Sequence, residues 1–236
     1  MLDIYVVDRA QYSYFSLDSE LLKIAKNKSS CELKCKSVDR MADLLILKRV
    51  LSKVLGFPEC VEIKIERAQF GKPFIREPIK FNLSHSESVL VIAVSSEEVG
   101  VDVEECNQNI DVMKFARRFF TVEEVEWLSN FWGFYRTRMF TKLWSLKEAH
   151  LKKLGTGLPG GLDRLRLIRK HGWFSLYTDD RLDNYYSLAL KGHILSFAAE
   201  CLEPPRFYRV ELAQNEMGFQ TIYGERNLPW VRHMVY

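Results

Sequence analysis

No stretch of this sequence approaches the roughly 20 uninterrupted apolar residues that a helix needs to cross a bilayer, so no membrane span is expected. A secretion signal is not expected either. The opening run Met1-Leu-Asp-Ile-Tyr-Val-Val-Asp8 sets acids among its apolar residues and has neither a basic leader nor a small-residue cleavage site. Cysteine is sparse and poorly placed for cross-linking. Cys31, Cys35, Cys60, Cys106 and Cys201 are odd in number and form no C-x-x-C pair, which disfavours a disulfide framework and a zinc ribbon and fits reduced thiols in a cytosol. An excess of one charge is also missing. The 34 basic and 31 acidic residues leave +3, too little to mark a nucleic-acid binder unless the basic groups share one face. Lys23, Lys26, Lys28, Lys34 and Lys36, with Tyr12, Tyr14 and Phe15 nearby, could form such a face, but a solvated lysine-rich surface is the ordinary reading. A cytoplasmic protein with neither a membrane nor a nucleic-acid partner is expected.

The 236 residues, 47% of them hydrophobic, suffice for one large domain or two small packed ones. Met1 to Val7 reads as an apolar strand. Asp39 can cap a helix whose stripe is Leu44, Leu47, Leu51, Val54 and Leu55 and whose end is set by Gly56 and Pro58. Val61, Ile63 and Ile65 alternate with charged residues as a half-buried strand does, before a turn at Gly71-Lys72-Pro73. Phe81 to Leu83, Val89 to Val94 and Val99 to Val103 read as an antiparallel meander. Thr121 and Glu124 form a capping box, and a second helix runs from about Arg138 to Leu154, ending at Gly155. Trp173 to Tyr177, Tyr185 to Leu190, Ile194 to Ala199 and Phe207 to Leu212 read as strands, giving an α+β order.

Chemistry concentrates in a few short patterns. In Gly100-Val-Asp102-Val-Glu104 the period of a strand sends both acids to one face and both valines to the other. Two close carboxylates repel, and a hard, oxygen-seeking cation between them relieves the repulsion; a solvated strand face is the bland reading. Trp144, Glu148 and Lys152 recur every four residues and stack an aromatic, an acid and a base on one helix face, where an ordinary surface ion pair is the competing account. Gly155-Thr-Gly157-Leu-Pro-Gly160 fits G-x-G-x-x-G but follows a helix, so a dinucleotide-binding turn is rejected in favour of a helix cap. Ser84 and His85, adjacent on an extended backbone, face opposite ways and make a poor nucleophile–base pair; a phosphate-contacting histidine remains open beside a purely local hydrogen bond.

Taken in order, Gly71-Lys72-Pro73, Phe81-Asn82-Leu83-Ser84-His85-Ser86, Gly100-Val-Asp102-Val-Glu104, Trp144-Ser-Leu-Lys147-Glu148-Ala149 with Lys152, and Gly155-x-Gly157-Leu158 resemble the Sfp-type 4′-phosphopantetheinyl transferases. The resemblance covers Gly71 to Leu158 and leaves the tail beyond Glu203 unmatched. It implies two similar α+β halves packed as a pseudo-dimer, here taken as residues 1–100 and 101–202, with 203–236 as an extension packed on the core. It further implies transfer of phosphopantetheine from coenzyme A to a serine of an acyl or peptidyl carrier protein, releasing 3′,5′-ADP, by a monomer whose one chain supplies a whole cleft. Magnesium, or manganese, would be held by Asp102, Glu104 and Glu148. Glu148, Lys152 and Glu104 would act in catalysis. Arg40, Lys72, Ser84, His85, Lys147 and Lys152 would contact coenzyme A, Arg40 at the 3′-phosphate, with Lys26 and Lys28 as further possibilities there. A binding module that keeps the fold and grips coenzyme A or a carrier without catalysis is the competing reading. The aromatic run Phe131-Trp132-Gly133-Phe134-Tyr135 fits a carrier-binding surface or core packing equally well.

Overall fold

A computed structural model describes residues 1–14, 38–58, 61–107, 109–157, 161–170, 173–177, 184–190, 192–200, 204–213, 216–222 and 231–232. The lysine-rich segment, with Lys26 and Lys28, lies outside them. Strand β1 (Leu2–Asp8) leads through a 3-10 turn, Arg9–Tyr14, and helix α1 follows over Val38–Leu55. Two short strands, β2 (Glu66–Arg67) and β3 (Pro73–Phe74), precede the hairpin β4 (Lys80–His85) and β5 (Val89–Ser95). Then come β6 (Val99–Glu105), α2 (Val112–Phe119), α3 (Val122–Ser129) and α4 (Gly133–Leu154). The chain continues through β7 (Arg166–Lys170), β8 (Trp173–Tyr177), β9 (Asn184–Leu190), β10 (His193–Ala199), β11 (Arg206–Ala213), β12 (Glu216–Ile222) and β13 (Val231–Arg232).

One sheet has the order β12-β11-β1-β5-β4 and another the order β13-β9-β10-β6. Each contains the same unit. In the first, β1 pairs antiparallel with β5, which pairs with β4; in the second, β6 pairs antiparallel with β10, which pairs with β9. A helix stands between the first strand and the hairpin in both, α1 in one and α4 in the other. The two α+β halves are therefore visible in the pairing itself. The meander expected from local pattern is broken at its third member, because β6 leaves β5 and pairs with β10. β11 joins β1 in parallel and β13 joins β9, so strands beyond residue 203 extend both sheets.

Alternation within the strands divides the core into layers. On β5, Leu90, Ile92 and Val94 pack with α1, while Val91 and Ala93 face the other way, toward Val99, Val101 and Val103 of β6 and Leu195 and Phe197 of β10. The inner faces of the sheets thus share one apolar layer, and α4 packs on the far face of β6 and β10. Local details differ from the sequence reading in three places. Asp39 lies inside the first turn of α1, where its charge favours the helix N-terminus, instead of capping it. Val61 to Ile65 form no ladder although Ile63 and Ile65 are buried, so their alternation reflects an extended chain pressed on the core. Helix α4 begins at Gly133, five residues before Arg138, with Trp132 at its N-cap making no side-chain cap bond. The capping box of Thr121 and Glu124 forms as expected, and Gly155 ends α4 in the left-handed conformation, φ 72°.

Candidate functional site

The sheets meet along β4 and β6, and side chains make the seam. Asn82 Oδ1 accepts the Val101 N–H at 3.0 Å, and Ser84 Oγ accepts the Val103 N–H at 3.2 Å, so residues of β4 satisfy the edge of β6 that has no ladder partner among the described residues. On β6 the valines enter the shared core and Gly100, Asp102 and Glu104 face α4. The approach there is close: a Cβ on Gly100 would lie 2.0 Å from the Ala149 carbonyl oxygen and 2.4 Å from the Lys153 nitrogen. Only glycine lets the strand lie this near the helix. Ser145 Oγ on α4 donates to the Asp102 carbonyl oxygen at 3.2 Å and fixes the register of helix on strand.

Asp102, 2% exposed, sits at the centre. Lys152 Nζ donates to its Oδ1 at 2.6 Å and to Ser84 Oγ at 2.8 Å, and Ser84 Oγ donates to the same Oδ1 at 3.0 Å. Lys152 therefore reaches across the seam, which decides against a simple surface pair with Glu148. The other oxygen of Asp102, Oδ2, is buried with no hydrogen-bond partner among the described residues. Burial, and then the Asp102 charge, push the Glu104 carboxyl up to about 7, with Glu148 adding to the repulsion and Lys152 and the Trp144 N–H opposing it. Burial and the Asp102 charge likewise raise Glu148. Among the described residues no three His, Cys, Asp or Glu side chains already stand as a metal cage. The donor set is nonetheless short of positive charge: one buried oxygen is unpaired and two carboxyls are biased toward protonation. A divalent cation seeking oxygen ligands fits that deficit.

Cations gather on the neighbouring side. His85, at the end of β4, is held below the ordinary histidine range by burial and by the charges of Arg9, Lys152 and Arg40, with Asp43 opposing them. As alternation requires, Ser84 turns toward β6 and His85 away from it. Lys72 lies farther along, its ammonium donating to Glu98 Oε2 at 2.7 Å and to the Lys153 carbonyl oxygen at 2.6 Å. It lines a cavity of about 510 Å³ with Phe70, Phe74, Lys80, Leu154 and Gly155. Lys147 departs from the sequence reading. Its side chain is wholly buried, donates to Glu124 Oε2 and to the Leu162 carbonyl oxygen at 3.0 Å, and lies over the Phe120 ring, so it faces the helical core and not the seam. One turn of α4 separates Glu148 from Trp144 and Lys152, whereas Lys147 points about 100° away from Glu148.

A second cleft, about 420 Å³, is lined by Ser86, Glu104, Ile110, Phe115, Phe140 and Trp144, among others. Of the aromatic run at the start of α4, Trp132, 78% exposed, and the exposed Phe134 and Tyr135 are surface residues, while Phe131 packs edge-on against Trp127. Core packing therefore does not account for the exposed three. Sequence reasoning missed the residues that hold the histidine end of the site. Tyr12, Arg9 and Asp43 form a buried network there, 31 and 34 residues apart along the chain, and no local spacing announces it.

Residues 98–198 match the model of the 4′-phosphopantetheinyl transferase superfamily. The 4′-phosphopantetheinyl transferase gsp of Aneurinibacillus migulanus is 35% identical over 114 residues, 48% of this chain and 47% of that protein. The 4′-phosphopantetheinyl transferase Sfp of Bacillus subtilis (strain 168) is 33% identical over 112 residues, 47% of this chain and 49% of its own length. A phosphopantetheinyl transferase of Thraustochytrium sp. (strain ATCC 26185 / S-3) is 30% identical over 183 residues, 68% of this chain and 63% of the relative. The chain thus spans about half the length of the first two relatives and less than two thirds of the third.

Proposed function

We propose that the chain is a 4′-phosphopantetheinyl transferase, as the match of residues 98–198 to that superfamily supports, and that it moves the phosphopantetheine arm of coenzyme A onto a serine of an acyl or peptidyl carrier protein. The observation that carries the reading is the seam between β4 and β6. There an acid with an unpaired oxygen, two further carboxyls and a lysine adjoin a histidine that feels the charges of Arg9, Lys152 and Arg40 as well as that of Asp43, an arrangement suited to a diphosphate and its counter-ion.

Asp102, Glu104 and Glu148 would hold magnesium or manganese, which when bound would neutralise charge on the diphosphate. The remaining work falls to the chain's own groups. Ser84, His85, Arg40 and Lys72 would contact the nucleotide phosphates, Arg40 at the 3′-phosphate, and Lys152 would stabilise charge as the transfer proceeds. Lys147 is left out of this set because its side chain is buried elsewhere. The carrier serine oxygen attacks the phosphorus on the pantetheine side, the bond from that phosphorus to the bridging oxygen breaks, and 3′,5′-ADP leaves. Glu148, directly or through water, takes the serine proton, with Glu104 as second choice. The cleft beside Glu104 leaves room for the acceptor serine and the pantetheine arm. The chain is read as two halves, 1–100 and 101–202, with the extension 203–236, acting as a monomer in the cytoplasm.

The test is intact-mass analysis of an apo carrier protein incubated with this protein, coenzyme A and magnesium, beside Asp102→Ala. A gain of one phosphopantetheine, lost without the metal or in the variant, is expected. No gain across several acyl and peptidyl carriers, with coenzyme A still bound, would replace the transferase by a binding module.

A further inference from the structure

The buried Tyr12 and Asp43 and the partly buried Arg9 are polar groups to which the proposed reaction gives no role. Asp43, 3% exposed, lies on α1 one turn after Arg40. Tyr12 donates its hydroxyl to Asp43 Oδ1 at 2.6 Å, and Arg9 Nη2 donates to Oδ2 at 3.2 Å. The other end of the guanidinium grips the turn after His85: Nη1 donates to the Ser86 carbonyl oxygen at 2.8 Å and, more weakly, to that of Glu87 at 3.4 Å. The Arg9 backbone N–H donates to the Ser88 carbonyl oxygen at 2.9 Å. Its guanidinium also lies 5.5 Å from the centre of the Tyr12 ring.

One planar group therefore joins the end of β1, the first turns of α1 and the turn that follows β4. A fork of this kind fixes angles as well as distances, which an ammonium on a flexible stem does not. The arrangement is also expensive. Buried ion pairs are commonly no more stabilising than apolar residues of the same volume, and Arg9 Nε is buried with no partner among the described residues. A pair that adds little to stability yet ties together the two segments carrying Arg40 and His85 has a geometric use.

We propose that Arg9 and Asp43 are positioning residues which set the turn carrying His85 against the helix carrying Arg40, so that the imidazole and the guanidinium converge on one phosphate group of the nucleotide, the 3′-phosphate of coenzyme A. The inference rests on the transferase reading for the identity of the ligand. It differs from a purely structural role in one respect: loss of the strut weakens recognition of that phosphate, not of the whole ligand.

Equilibrium titrations of coenzyme A and of dephospho-coenzyme A, which lacks the 3′-phosphate, into the full chain separate the two roles. The wild type is expected to prefer coenzyme A. Asp43→Asn and Arg9→Gln are each expected to cut that preference roughly fivefold to tenfold. Arg9→Lys, which keeps the charge but not the fork, is expected to lose most of it as well. In an Arg40→Ala background, Arg9→Gln should change the preference far less, since the group it positions is gone. Unchanged preference, with affinity for both ligands falling in step with melting temperature, overturns the proposal, and a variant too unstable to titrate is replaced by Tyr12→Phe, which removes one bond to Asp43. A wild type that binds coenzyme A without preferring it overturns this inference alone, whereas one that binds neither ligand overturns the transferase reading with it.

Discussion

Lys147 and Lys152 stand five residues apart on α4 and meet opposite fates. Lys152 crosses the seam to Asp102 and Ser84, while Lys147 is enclosed with Glu124, whose same oxygen also caps Thr121. Burial pulls the Lys147 ammonium below its ordinary range and the Glu124 charge partly restores it. Lys147→Met leaves a carboxylate short of its partner in the core, at a cost of about 3–5 kcal/mol. Chemical denaturation should show that loss, while the protein that remains folded binds coenzyme A as before; weakened binding at unchanged stability would return Lys147 to the site. His85 offers a test by proton. In the free protein burial and the charges of Arg9, Lys152 and Arg40, against Asp43, hold it below the ordinary histidine range, which favours the neutral imidazole. A phosphate dianion beside it raises that pKa, so binding near pH 7 takes up a fraction of a proton. Calorimetric titration in two buffers of different ionisation enthalpy reads the uptake, and His85→Asn should abolish it. Release of a proton, or the same uptake in the variant, contradicts the placement of His85.

At the scale of elements, the contact of β6 with α4 decides whether the site exists. Gly100 is packed against the helix backbone, whose atoms have no rotamer through which to yield. Gly100→Ala must shift strand and helix apart, which is expected to cost roughly 1–3 kcal/mol as overpacking does and to move Glu148 and Lys152 relative to Asp102. A lowered melting temperature with transfer reduced beyond the loss of folded protein is the expected pair of results. Full activity would show that the approach is looser than described. Residues of β4 act in the same contact from the other side, since Asn82 and Ser84 replace backbone partners for β6 with side-chain ones. A side-chain seam leaves Ser84 free to bond Lys152 and Asp102 as well, which a closed ladder would not require of it.

For the whole molecule, the strands beyond residue 203 are structural. β11 lies parallel to β1 along five residue pairs and sends Val210 and Leu212 into the core beneath α1, and Arg206 forks onto the buried Asp3. Removing residues 204–236 exposes the edge of β1 and forfeits about 1.5–3 kcal/mol for each of those two side chains. The truncated chain is expected to aggregate or to melt well below the full chain, by light scattering and thermal unfolding. A truncated monomer of unchanged stability would make the extension dispensable.

Much of this was legible in the sequence because it depends on near neighbours. Period two placed Asp102 and Glu104 on one face, steps of four aligned Trp144, Glu148 and Lys152, and Thr121, Glu124 and Gly155 marked where helices begin and end. The order of five short patterns also carried the resemblance to a family, and with it the residues from which the site is proposed. What local pattern could not reach were choices between partners distant along the chain. The same β6 fits a meander with β5 and a ladder with β10, and only packing of both sheets around one apolar layer selects the second. Likewise a lysine on α4 has the same propensity at 147 as at 152, and the side of the helix that meets Glu124 or Asp102 decides its role. Arg9 and Asp43 carry no periodic or motif signal, since their pairing is fixed by where β1, α1 and the turn at residues 85–88 come together in space. Short-range stereochemistry wrote the elements into the sequence, whereas burial and charge compensation across the fold determined which of their faces became the site.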